Sequence, residues 1–192
     1  MLNEPKKVCK EKFTMVCAVE QIQNGGKRGI VVKRKILHLA VLIFLLSLPS
    51  LSWAFSGKVI STAAGDTIIV LRDKEQVRIR LYGIDCPERY QPFTKKAKQF
   101  TSKMVYSKVV VVDHIDTDRY GRIVALVRVD GVLVNSALVQ AGLAWVYNYY
   151  CTLPFCEEWF VLQLKAKDAK RGLWADPNPI PPWEFRKEKR GQ

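Results

Sequence analysis

Residues 57–85 and 108–134 are built from short runs of β-branched residues broken by turn formers: GKVISTAAGDTIIVLRDKEQVRIRLYGID, then KVVVVDHIDTDRYGRIVALVRVDGVLV. In one run Val77, Ile79 and Leu81 alternate with Arg78 and Arg80, the period of a strand with a single buried face. GD at 65–66, RDKE at 72–75, DRYG at 118–121 and VDG at 129–131 read as the turns between strands. About five strands result, enough for one small sheet or barrel.

Between the third and fourth strands, over residues 92–106, Phe93, Ala97, Phe100 and Met104 recur at helical spacing, with Pro92 suited to the first helical position. A second helix is predicted over residues 135–141, stopped by Gly142. A third is predicted over residues 156–170, with Phe160, Val161, Leu164 and Ala169 facing inward and Gly172 as its stop. The tail DPNPIPPWEFRKEKRGQ holds too many prolines for a helix or central strand, so it is expected to pack as an extended strip through Ile180, Trp183 and Phe185. Five strands with a helix after the third is the connectivity of an OB-type barrel. This is an α+β class of β-barrel with helices, and a frequent carrier of nucleic-acid sites. Fold alone assigns no function.

The chain carries 31 Lys+Arg against 18 Asp+Glu, which favours a polyanionic partner. Nine of the basic and three of the acidic residues fall in residues 1–54, so residues 55–192 remain basic, at 22 against 15. Lys33, Arg34 and Lys35 precede an apolar run over residues 36–48, followed by Pro49 and by small residues at Ser52 and Ala54. That order reads as a secretory signal cleaved after Ala54 and predicts an exported protein, periplasmic or secreted, with no lasting membrane partner. The alternative is an uncleaved anchor through residues 36–51, but a span needs about 20 apolar residues. Residues 1–27 are polar and mixed in charge, unlike a signal's start, which points to initiation downstream within residues 1–30 or near Val31. The expected organisation is leader and signal over 1–54, a folded domain over 55–175 and a Pro-rich basic tail over 176–192.

Cys9 and Cys17 lie in the leader, leaving Cys86, Cys151 and Cys156. In an oxidising compartment Cys151 and Cys156, in CTLPFC, are close enough to bridge if Pro154 turns the chain. No second Cys/His pair has zinc spacing, and His38 and His114 lie far away.

Three stretches carry the chemistry: AAGDTIIV at 63–70, RLYGIDCPER at 80–89 and DTDRYGRIVALV at 116–127. With the strands paired as supposed, Asp66 and Asp85 end strands, and Arg80 and Arg122 point from neighbouring strands toward the same face. Two aspartates without imidazole or thiolate partners suit a hard cation, Ca²⁺ or Mg²⁺. Arginines beside it clamp phosphate bidentately, and Glu88 is left to take a proton from water. A nucleophilic Cys86 would want a base to form thiolate, and no motif supplies one. Singly, each residue also fits a turn former or a solvated edge charge, but jointly they assemble a phosphodiesterase.

GDT, RLYGIDCPE and DRYGR, in this order and followed by VNSALVQAGLAWV, resemble the staphylococcal nuclease (thermonuclease) family, in particular its exported bacterial members. The resemblance runs from about residue 55 to residue 174. It implies a five-stranded OB-fold barrel with three helices, acting as a monomer in Ca²⁺-dependent hydrolysis of DNA or RNA. Asp66 and Asp85 would then be calcium ligands, together with the backbone carbonyl of Cys86. Arg80 and Arg122 would hold the phosphate and stabilise the transition state, and Glu88 would activate water. Arg119, Tyr149 and Tyr150 are further candidates for substrate contact, the tyrosines by base stacking. The chain departs from the family pattern at Ala64, where an acidic residue often stands, at Asn148 in place of a tyrosine, and in a short 88–92 segment. A non-catalytic OB module binding nucleic acid through the same basic surface is the competing reading.

Overall fold

The structure, a computed structural model, describes residues 54–191, which form one compact unit. The expected leader and signal, with Cys9 and Cys17, lie outside the described residues except for Ala54. β1 (Ala54–Ala64) pairs with β5 (Val109–Thr117) along its first half and with β2 (Thr67–Arg72) along its second. Gly57 lies where the strand changes partner, and a Cβ there would run into the Val70 side chain and the Leu71 carbonyl. β2 returns into β3 (Glu75–Leu81) through Asp73 and Lys74, at φ 48° and 73°, the paired left-handed conformation of a tight hairpin. β6 (Ile123–Val129) pairs antiparallel with β5 and parallel with β3, with Ile79 opposite Ile123 and Leu81 opposite Ala125. That parallel pairing closes five strands into a barrel, which is the expected OB-type fold.

The alternation read from the third run is realised, since Ile79 and Leu81 are buried while Arg78 is exposed. They meet Val59, Ile68, Val70, Val110, Val112 and Val127 in the interior, all excluded from solvent. Burying each such side chain is worth about 1.5–3 kcal/mol, so this core is the main source of stability. β4 (Ile84–Asp85) leaves the barrel and pairs with β8 (Trp145–Val146), while β7 (Val132–Leu133) extends the sheet edge beside β6.

α1 (Thr94–Val105), α2 (Val134–Gln140) and α3 (Cys156–Asp168) cover the barrel, and a short 3₁₀ turn at Gly172–Ala175 and then α4 (Pro182–Arg190) follow. Among the described residues, four helices therefore replace the expected three. The tail is helical because its prolines end at Pro182, which takes the first turn where no amide donor is needed, leaving WEFRKEKR free to wind. Pro92 does not open α1. The helix starts at Thr94, after Phe93 has turned left-handed at φ 66°.

The buried face of α3 is also rotated from the expected one, to Cys156, Trp159, Gln163 and Ala166, while Val161 and Leu164 are exposed. Gln163 goes inside because its Oε1 accepts the Val146 amide at 2.8 Å, capping a strand end that apolar periodicity does not report. Asn135 is likewise fully buried. Its Oδ1 accepts from Val127 N at 3.1 Å, and its Nδ2 donates to Tyr82 O at 3.0 Å and Ala125 O at 3.2 Å. This amide ties α2 to the end of β3, where the chain turns toward the acidic residues.

Candidate active site

Asp66 sits at the β1–β2 turn and Asp85 at the end of β4, and one side chain joins them. Arg80, on β3, sets Nη1 against Asp66 Oδ2 and Nη2 against Asp85 Oδ1 at 2.6 Å, and also donates from Nη2 to Ile84 O at 3.1 Å. The register explains the meeting: Thr67 is opposite Arg80 on paired strands, and the Leu81 amide donates to Asp66 O at 2.8 Å. Gly65 makes room for this approach, because a Cβ there would strike Cys86 and Ala97. The Thr101 hydroxyl of α1 donates to the Gly65 carbonyl from beneath.

Asp66 and Asp85 are almost wholly buried, at 6% and 2% exposed, so their charges persist only through their partners. Burial pushes the Asp66 carboxyl upward. The Arg80 charge, the Cys86 amide at 2.7 Å and the Thr67 hydroxyl at 3.1 Å outweigh it and hold Asp66 below its ordinary value. For Asp85 burial prevails, and the Asp66 charge adds to it, so its carboxyl is raised despite its arginine partners. Burial, with Asp66 nearby, also pushes the Cys86 thiol well up. Cys86 is therefore a buried neutral thiol whose main-chain N–H holds Asp66 in place.

Glu88 lies on the 88–92 segment, which is tied down locally. Its amide donates to Gln91 Oε1 at 2.8 Å, its carbonyl accepts from the Gln91 amide at 2.9 Å, and the Thr94 hydroxyl donates to the same carbonyl. Its carboxylate is linked to Asp85 through a residue that the sequence reading did not single out. Arg186 of α4 places Nη2 2.8 Å from Asp85 Oδ2 and Nη1 2.5 Å from Glu88 Oε1. The Pro-at-N1 start, with Glu184 in the first turn and Lys187, Lys189 and Arg190 in the last, was the available sign that this tail is helical. Nothing in that pattern reports where Arg186 docks.

Arg122 precedes β6, and the β3–β6 register puts it on the same face as Arg80. Its Nε is held by Asp118 Oδ2 at 2.6 Å, and Asp118 also accepts the Tyr120 and Arg122 amides at 2.9 and 3.0 Å. Burial is the largest single influence and raises the Asp118 carboxyl, but the hydrogen bonds from Arg122 and Tyr120 and the Arg122 charge together leave it below its ordinary value. Arg119 lies over the exposed Tyr120 ring at 4.9 Å. Arg122 and Arg119 thus stand on the β5–β6 turn, Arg122 held by Asp118 and Arg119 resting on Tyr120.

Tyr149 and Tyr150 are exposed and meet edge to face at 4.9 Å. Their loop begins beside the cluster, since Trp145 is opposite Asp85 and the Tyr147 amide donates to Gly83 O at 2.9 Å. It ends in the disulfide between Cys151 and Cys156.

No group of three or more His, Cys, Asp or Glu among the described residues is gathered closely enough to form a metal cage of side chains alone. The donor set still fits a hard cation. It offers only oxygens, and Asp66, Asp85 and Glu88 against Arg80 leave a net charge of about −2 before Arg186 is counted and about −1 with it, with carbonyls and water needed to complete coordination.

A family model described as staphylococcal nuclease homologue matches residues 78–176. An Escherichia coli protein named "Uncharacterized endonuclease" is 40% identical over 153 residues, spanning 79% of this chain and 98% of its own. A Shigella flexneri protein named "Micrococcal nuclease" is 34% identical over 158 residues, spanning 77% of this chain and 89% of its own. An Escherichia coli protein named "Protein ParB" is 39% identical over 162 residues, spanning 79% and 91%. With the closed five-stranded barrel and the arginine-bridged aspartates, these matches establish that the chain belongs to the staphylococcal nuclease family.

Proposed function

We infer that the protein is a metal-dependent nuclease, a phosphodiesterase that hydrolyses DNA or RNA, with Ca²⁺ as its cation. The observation that carries this reading is the Arg80 guanidinium held between Asp66 and Asp85 with Glu88 nearby. A divalent ion held by Asp66, Asp85 and the Cys86 carbonyl would polarise the scissile phosphate and its water. Arg80, fixed in orientation by two carboxylates and the Ile84 carbonyl, keeps donors for a phosphate oxygen and need not reorganise as charge develops there. Glu88, at the mouth of the site, takes the proton of the attacking water as its oxygen bonds to phosphorus. The bond to the departing oxygen breaks as that bond forms. Arg122 is held at Nε by Asp118, which leaves its Nη groups to meet the charge that would develop on the leaving side. Tyr149 and Tyr150 offer rings for the adjoining bases, and Arg119 a backbone contact.

The disulfide supports an oxidising compartment and hence an exported protein. That the protein acts as a monomer is part of the same proposal. The deciding assay is digestion of single-stranded DNA by the purified protein with added Ca²⁺, then with excess chelator. Cleavage that the chelator stops is expected. Binding without cleavage under both conditions would instead favour a non-catalytic OB module.

A further inference from the structure

Arg186 reaches this cluster from a segment the barrel does not need. Helix α4 follows DPNPIP at 176–181, and Pro182 is the one buried residue of the helix. Its attachments are side-on. Trp183 stacks on Tyr147 with centroids 4.6 Å apart and 10° between planes, and meets Trp145 edge to face at 5.7 Å. Gln91, beside Glu88, donates to Ile180 O at 2.9 Å, and Lys189 lies over Tyr90 and Phe185 at 4.6 and 5.0 Å. The segment from Ile180 to Lys189 is thus a strap laid across the 88–92 turn, with an arginine at its centre.

That arginine occupies both oxygens of Asp85. Nη2 lies 2.8 Å from Oδ2 and Nη1 3.3 Å from Oδ1, while Nη1 also binds Glu88 Oε1 at 2.5 Å. The Asp85 side chain is 2% exposed and the Arg186 side chain 35%, so Arg186 stands between Asp85 and solvent. A cation arriving from solvent meets the guanidinium first. Arginine stays protonated at any working pH, so it cannot neutralise itself to make way and has to move. Asp85 Oδ1 is already taken by Arg80 at 2.6 Å, so Oδ2, which Arg186 holds, is the oxygen a metal would need, and a divalent ion beside that guanidinium would be strongly repelled in a poorly screened site. Three carboxylates against Arg80 leave about two negative charges, which Arg186 half neutralises and a divalent ion would neutralise fully.

We propose that Arg186 is a tethered cation that holds Asp85 and Glu88 in the metal-free protein and is exchanged for the divalent metal, the α4 strap loosening as the metal enters. This rests on the nuclease reading of the site. It makes the strap a gate on metal occupancy and sets Glu88 free only once the metal is present. A strap anchored by one indole, by cation–ring contacts and by the Arg186 ion pairs, with only Pro182 of its helix buried, is the kind of element that opens locally without unfolding the core.

The test is titration calorimetry with CaCl₂ alone, without nucleic acid, on the whole protein, Arg186→Gln, Trp183→Ala and Asp85→Asn, each first checked for an intact thermal transition. Arg186→Gln removes the competing charge and should bind Ca²⁺ about tenfold more tightly than the parent, the size of an ordinary coupling between sites. Trp183→Ala loosens the strap without touching the acids and should shift affinity in the same direction. In the parent protein, amide exchange in α4 should quicken when Ca²⁺ is added. Equal or weaker Ca²⁺ binding by both variants, with Asp85→Asn still abolishing it, overturns the exchange while leaving the metal site standing. Ca²⁺ binding unaffected by Asp85→Asn, or absent from every protein, overturns both.

Discussion

Glu88 and Asn135 show how differently two polar side chains constrain the same molecule. Glu88 is about one third exposed, and its turn is fixed through its main chain, by Gln91 and Thr94, not through its carboxylate. Glu88→Gln should therefore lower Ca²⁺-dependent DNA hydrolysis about 100-fold or more, the usual contribution of a positioned base, with the thermal midpoint nearly unchanged. An undiminished rate would remove Glu88 from the proton transfer. Asn135 has no exposure and three main-chain partners, so Asn135→Ala strands one amide and deprives two carbonyls in a dry interior. The expected loss is about 3 kcal/mol in urea unfolding. Glu88 could be read from its place in RLYGIDCPER, since the motif spaces it three residues from Asp85. Asn135 was legible only as a helix residue, because its partners lie on β6 and beyond β3, and their proximity is a product of barrel closure.

At the scale of elements, the strands were the most legible because alternation and turn chemistry are local. Asp73 and Lys74, or Asp130 and Gly131 at φ 50° and 77°, announce their hairpins within a few residues. Helix faces were less so. In α3, Phe160 and Leu164 suggested one stripe, whereas Trp159 and Gln163 take the inner face. A strand-end amide needing an acceptor and an indole filling the space beneath Gly83 outweigh simple hydropathy. The loop ahead of α3 is held by the disulfide, whose partners are 5 residues apart. A loop this short restricts the unfolded chain only modestly, so Cys151→Ser should cost about 2 kcal/mol by chemical denaturation. The same variant frees the segment after Tyr149 and Tyr150, and DNA affinity should fall with it if those rings stack on bases.

At the scale of the molecule, the basic excess of residues 55–192 and the exposed β5–β6 turn with its arginines predict that nucleic-acid capture is electrostatic. With about three phosphates neutralised, each doubling of salt should weaken single-stranded DNA binding roughly fourfold. Fluorescence anisotropy in chelator would read this directly, and a salt-independent affinity would remove the phosphate contacts assigned to Arg80, Arg119 and Arg122. What the sequence by itself determined are the properties written over a few neighbouring residues: the alternation that makes strands, the turns between them, and the ordered motifs carrying Asp66, Arg80, Asp85, Glu88 and Arg122. Only the tertiary structure decided which groups meet across long separations. Arg80 bridges two aspartates because β2 and β3 align Thr67 with Arg80, and Asn135 finds Val127 because the barrel closes. Arg186 reaches Asp85 from 101 residues away because the C-terminal helix lies back over the site. Such contacts depend on the summed geometry of the whole barrel, and no local pattern encodes that sum.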